Sequence, residues 1–135
     1  MEKYKEILNE RFGKDSLMAL ATIDAKGMPW VRTIDAVFHK DSFYTITYAL
    51  SNKMEHIKMH PVVAISGDWF SGHAVGENLG YIKKEENREV ADMLRKAFAS
   101  WYDNGHTNEE DPNTIILKIK LTDGILFDHG TRYVF

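Results

Sequence analysis

The sequence predicts an α+β fold: an antiparallel β-barrel of about seven short strands with helices at its periphery. Three observations predict it. Apolar or alternating runs of strand length recur between residues 17 and 127. Turn residues separate most neighbouring runs, which joins them as antiparallel hairpins. Three stretches of helical spacing interrupt the runs at the start, in the middle and after the fifth strand. Many short strands in hairpin order commonly close on themselves, because closure removes the unpaired edges.

Each element has its own signal. Tyr4, Ile7, Leu8 and Phe12 recur at helical spacing, and Gly13 follows where a left-handed helix end is favoured. Residues 17–23, LMALATI, form an unbroken apolar run, and Asp24-Ala25-Lys26-Gly27 supplies a tight turn after it. Over residues 30–38, Trp30, Arg32, Ile34, Ala36 and Phe38 alternate with Val31, Thr33, Asp35 and Val37, so one strand face carries Arg32 as its single charge. Residues 43–48, FYTITY, are aromatic and β-branched throughout and suit a pleated surface. Ser51 is expected to cap a helix over residues 52–59 with Met54 and Ile57 inward, and Pro61 forbids its continuation. Residues 62–70 and 73–82 read as two strands around a Ser71-Gly72 turn. Val90, Leu94, Ala97, Phe98 and Trp101 predict the longest helix, over residues 83–102. A polar loop over 103–113 leads to alternating Ile115, Leu117, Ile119 and Leu121, and Asp123-Gly124 reads as a turn into a last strand at 125–127.

Composition narrows the function. A chain of 135 residues with 44% hydrophobic and 27% charged content makes one folded domain, spanning residues 1–135. Seventeen basic against twenty acidic residues give a net charge of −3, which disfavours a general nucleic-acid binder. The absence of cysteine excludes disulfides, thiolate nucleophiles and iron–sulfur clusters and fits a reducing compartment. No apolar run reaches the ~20 residues of a membrane span, so a soluble cytoplasmic protein without a membrane partner is expected.

Taken singly, Arg32 reads as a surface or ion-paired arginine and Lys53 as a solvated helix lysine. Together they say more. Lys53 falls in the first turn of the helix that begins after Ser51, where the macrodipole favours anions and a cation is the less usual choice. Amides of that turn, the Ser51 hydroxyl, Lys53 and Arg32 would form a site for a terminal phosphate. Charge-assisted hydrogen bonds there contribute about 1.5–3 kcal/mol each. His56 and His60 are four apart, but Pro61 pushes His60 out of helical geometry, so no metal site is expected. The lone His73, His106 and His129, and the aromatic Trp69, Phe98, Trp101 and Tyr102, read first as solvated or packed side chains.

Three segments carry a resemblance: Gly27-Met28-Pro29-Trp30-Val31-Arg32, the run from Phe43 through Ser51-Asn52-Lys53, and Ile57-Lys58-Met59-His60-Pro61-Val62-Val63-Ala64. In order and spacing they resemble the pyridoxamine 5'-phosphate oxidase-like FMN-binding split barrels, over roughly residues 17–82. The resemblance implies that Arg32 and Lys53 hold the phosphate of FMN with Ser51 and Asn52 beside them. It implies that Thr33, Ile34, Ile46 and Thr47 run along the ribityl chain and ring. It also implies a homodimer with a cofactor at the subunit interface. The oxidases proper carry a basic residue five positions after that arginine, where this chain has Val37, so pyridoxamine phosphate oxidation itself is not expected. The length and pattern look more like the small general-stress or flavin-reductase-like members, whose small-molecule substrate the sequence does not name.

The resulting expectation is an FMN-binding oxidoreductase moving electrons between a reduced nicotinamide and a small acceptor. A flavin-binding sensor or storage protein without turnover is the alternative. An oligonucleotide-binding barrel using Trp30, Phe43, Tyr44 and Tyr48 as a stacking platform is a third reading, which the negative charge weakens.

Overall fold

A computed structural model describes residues 2–135. The chain order is α1 (Lys3–Phe12), β1 (Ser16–Ile23), β2 (Pro29–His39), β3 (Ser42–Tyr48), α2 (Asn52–Met59), β4 (Val62–Gly67), β5 (Phe70–Tyr81), a 3₁₀ turn at Glu85–Asn87, α3 (Arg88–Ala97), β6 (Thr114–Asp128) and β7 (Thr131–Val134). The strands lie in the order β3-β2-β1-β4-β5-β6-β7, and β3 also pairs with β6. That pairing closes the first six strands into an antiparallel barrel and leaves β7 outside on β6, the α+β split barrel the sequence predicts.

Alternation fills the barrel. Met18, Leu20, Ile34, Ala36, Phe38, Phe43, Leu117 and Ile119 point inward and are buried, with Phe12 of α1 and Met54 and Ile57 of α2 in the same cluster. A second cluster lies outside the wall: Val37, Tyr44 and Ile116 pack against Ala91, Leu94 and Phe98. That packing is why β2, β3 and β6 carry the apolar Val37, Tyr44 and Ile116 on their outward faces. It also removes the stacking platform of the oligonucleotide reading, since Phe43 and Tyr44 are buried.

Four local expectations change. Gly13 ends α1 at φ −74 with its N–H on the Asn9 carbonyl, not in the left-handed region. The β4–β5 turn sits at Asp68-Trp69, with Trp69 at φ 54; Gly72 is inside β5, where a Cβ would stand 2.7 Å from the Asp123 carbonyl oxygen. Its glycine serves a close approach between strands rather than a turn. Asp123-Gly124 does not turn either. It lies within β6, beside a bulge in which His73 and Ala74 face Asp123 and Leu121 and leave Thr122 extra. The hairpin falls instead at His129-Gly130, so the expected strand at 125–127 is the end of β6 and β7 is Thr131–Val134. Finally, the long helix is divided. Asn87 turns its side-chain amide onto the Leu79 and Tyr81 carbonyls, and only Arg88–Ala97 follow as α-helix.

Candidate functional site

β2 carries Arg32 opposite Leu20 of β1. Its Nη1 donates to the Thr22 hydroxyl at 2.7 Å and to the Leu20 carbonyl at 3.2 Å. Burial pulls the guanidinium pKa below its ordinary value, because the charged form loses hydration. Lys53 stands in the first turn of α2, and its Nζ donates to the Thr47 hydroxyl of β3 at 2.6 Å. Its pKa is also lowered, first by burial and then by repulsion from Arg32. The Arg32 charge therefore reaches Lys53. Among the described residues, neither has a carboxylate within ion-pair distance. Two desolvated cations held together without a counter-ion are matched by an anion from outside the chain.

Ser51 occupies the position before α2 in an extended conformation, as expected, but its side chain makes no capping bond. The Ser51 Oγ is enclosed and has no partner among the described residues. A buried hydroxyl without a partner costs free energy that a ligand oxygen would recover. Asn52 is exposed beside it.

Five of the residues expected at the cofactor meet in one hollow. Thr33, Ile34, Ile46, Thr47 and Lys53 line a cleft of about 210 Å³. Asp35, Thr45, Phe98 and Trp101 complete its walls. Arg32, Ser51 and Asn52 are not part of that lining; Arg32 precedes Thr33 on β2, and Ser51 and Asn52 precede Lys53 in the chain. Asp35 and Trp101 also belong to an adjoining cleft of about 430 Å³, with Asp15, Leu17, Asn104 and His106. There Trp101 Nε1 donates to Asp15 Oδ2 at 2.8 Å. Burial, and then the hydrogen bond and charge of Asp15, raise the Asp35 carboxyl to about 6. One end of the depression is thus cationic and the other carries carboxyl groups. Arg95 clasps Glu109 through two bonds of 2.8 Å, and Tyr102 donates to the same carboxylate, which folds the segment after α3 over the cleft.

The sequence reading missed Asp35 and Asp15. The signal was present for Asp35, an acid among Val31, Thr33 and Val37 on one strand face; nothing local ties Asp15 to it. The helical spacing that names Phe98 and Trp101 points first to core packing. Phe98 is core and Trp101 stacks on it at 4.7 Å between centroids while facing the cleft. Among the described residues no group of three metal-binding side chains converges. His56 instead pairs with Thr22. Among the described residues no helix is long and apolar enough to cross a membrane.

The family model described as pyridoxamine 5'-phosphate oxidase matches residues 1–127. Curated proteins give no match. Solved structures share the fold at low identity. General stress protein 26 from Bacillus anthracis str. Sterne superposes with a TM-score of 0.71 at 15% identity, covering 99% of this chain and 100% of that one. A FAD-binding protein from Mesorhizobium loti gives 0.68 at 12%, covering 92% of each. HutZ, described as a heme storage protein from Vibrio cholerae, gives 0.68 at 16%, covering 98% and 92%.

Proposed function

Because the chain belongs to the pyridoxamine 5'-phosphate oxidase family, we propose that it is a single-domain FMN-binding oxidoreductase working as a cytoplasmic homodimer. One observation carries the reading: Arg32 and Lys53 both lose hydration, neither has a carboxylate within ion-pair distance among the described residues, and the Arg32 charge reaches Lys53 at the start of α2. A phosphate dianion matches them in charge. The enclosed, unpartnered Ser51 Oγ next to them fits the same oxygen-rich group.

In this reading Arg32 and Lys53 hold the phosphate, and Ser51 and Asn52 lie beside it. Thr33, Ile34, Ile46 and Thr47 flank the ribityl chain and ring, where the cleft alternates apolar and hydroxyl walls. Bound there, FMN would supply two-electron transfer between a reduced nicotinamide and a small acceptor. Phe98 and Trp101 exclude water from the inner wall. Asp35, with its carboxyl near 6, holds a proton at the far end at slightly acid pH. The partner is a second copy of the chain. Leu17, Val31 and Val62 stand 70%, 69% and 55% exposed on the outer face of β1, β2 and β4, with Ala19, Ala21 and Ala64 between them. An uncovered apolar sheet face of this kind marks an interface. Thr33 and Asp35 continue that face into the cleft, which supports a cofactor lying where two subunits meet.

The reading is tested by the visible spectrum of the purified protein with and without added FMN, and by Arg32→Ala and Lys53→Ala. Each substitution is expected to weaken FMN about 10- to 100-fold while changing riboflavin, which lacks the phosphate, far less. Equal losses for both ligands would overturn the phosphate assignment. The storage alternative is supported by the heme-storing Vibrio protein of the same fold. Excess NADH or NADPH separates the two: bleaching of the flavin band with recovery on adding an acceptor supports turnover, and persistent oxidised flavin supports binding alone.

A further inference from the structure

Thr22 is fully buried, yet its hydroxyl is the meeting point of two side chains that lie at the candidate anion site. Arg32 Nη1 donates to Thr22 Oγ1 at 2.7 Å, and His56 Nδ1 lies 2.8 Å from the same oxygen. A guanidinium only donates. Thr22 Oγ1 therefore accepts from Arg32, and among the described residues the acceptor within reach of its own hydrogen is the His56 Nδ1. The hydroxyl oxygen has a second lone pair that could take an Nδ1 hydrogen, but the hydroxyl uses its own hydrogen as well only when it donates to Nδ1 of a neutral His56 whose hydrogen sits on Nε2, the polarity Arg32 to Thr22 to His56. The Leu20 carbonyl, at 3.2 Å from Nη1, and the Trp30 carbonyl, at 3.5 Å, lie on the same nitrogen. Nη2 and Nε of Arg32 donate to no described residue. One corner of the planar guanidinium is thus pinned by β1, and the other two nitrogens form a fork of the kind that takes two oxygens of one anion.

We propose that Thr22, with its hydroxyl direction set by neutral His56, is the positioning residue of the anion site: it holds the Arg32 plane so that its free edge meets a phosphate group. The inference rests on the reading of Arg32 as a phosphate ligand and adds residues that no part of that reading assigns. His56 reaches Thr22 from α2, the helix that also carries Lys53, so one hydroxyl couples the strand cation to the helix that bears the other. Near His56 stand Asp24 of the β1–β2 turn, whose carboxyl pKa lies below its ordinary value, first through the Trp30 hydrogen bond, and the Trp30 ring at 6.5 Å. Trp30 Nε1 engages Asp24 at 2.8 Å, which leaves the Thr22 side of His56 to the hydroxyl. Without Thr22 the arginine would keep its charge and lose its orientation, and oriented bidentate contact is what distinguishes a gripped phosphate from a merely attracted one.

The test uses the full chain with FMN and riboflavin as probes. Thr22→Val keeps the shape and removes the hydroxyl; it is expected to weaken FMN about 10- to 100-fold, the effect of a hydrogen bond to a charged group, with riboflavin changed less than about 3-fold. Thr22→Ser is expected to restore FMN to within about 3-fold of the parent. Nitrogen NMR of His56 in the ligand-free parent, near pH 8, should show unprotonated Nδ1. This readout does not depend on any cofactor. Parallel losses of FMN and riboflavin in Thr22→Val, or unchanged FMN, would overturn the positioning role, as would a His56 hydrogen on Nδ1. If Thr22→Val does not fold, the serine variant and the His56 tautomer decide. Failure of the parent to bind FMN would instead strike the cofactor reading, and the tautomer would still judge the hydroxyl relay.

Discussion

At Asp35 a strand residue lining two adjoining clefts has its acidity set by what folds against it. Burial comes first and the neighbouring Asp15 second, and together they raise its carboxyl to about 6, against ~3.9 for an unfolded aspartate. Between these values the folded chain holds more protons than the unfolded one. This contribution to stability is therefore fully present below about pH 4 and is lost as pH rises through about 6. Asp35→Asn fixes the uncharged form. It is expected to flatten urea-unfolding stability over that interval and to stabilise the protein by roughly 1 kcal/mol at pH 8, allowing for the partial access of Asp35 to water. A variant whose stability tracks the parent at every pH would exclude the assignment.

The elements around the site are held by few, identifiable contacts. α2 reaches its seat because Gly76 of β5 lacks a side chain: a Cβ there would stand 3.0 Å from Cγ2 of the buried Ile57. Gly76→Val is expected to lift α2, cost about 1–3 kcal/mol of stability and weaken FMN, since Lys53 moves with the helix; thermal melts and an FMN titration read both. The segment after α3 depends on Glu109, which takes two bonds from Arg95 and one from Tyr102. Glu109→Ala removes the acceptor for both donors, and a loss of about 1–3 kcal/mol is expected. Limited proteolysis should then cut within residues 99–113 while the barrel survives. Unchanged cleavage would show that the aromatic stack of Trp101 on Phe98, not the Glu109 clasp, holds this segment. Most of this element scale was legible: α2 falls at Asn52–Met59 with Met54 and Ile57 inward, as periodicity and Pro61 require. Where the strand reading moved, a glycine was the reason. Gly72 and Gly124 sit inside strands, because glycine serves close backbone approach as well as turns, and local sequence does not distinguish the two uses.

At the scale of the whole molecule, the proposed dimer rests on the exposed outer face of β1, β2 and β4. Val31→Glu puts a charge in the middle of that face, opposite Ala21 in the register. Sedimentation is expected to show monomer for the variant and dimer for the parent, with FMN affinity falling alongside; a dimeric variant would place the interface elsewhere. The sequence by itself determined the order of strands and helices, the inward and outward faces, and the choice of Arg32 and Lys53 as two cations to be considered together, and in the structure the Arg32 charge does act on Lys53. Side-chain periodicity, proline and helix-start chemistry are local properties that the chain carries wherever it folds. Only the tertiary structure decided that Asp15 lies against Asp35, that Trp101 lines a cleft, and that Thr22 stands between Arg32 and His56. Those meetings depend on closing β3 onto β6 and seating two helices on the wall, and contact between residues far apart in the chain is a property of the closed barrel as a whole.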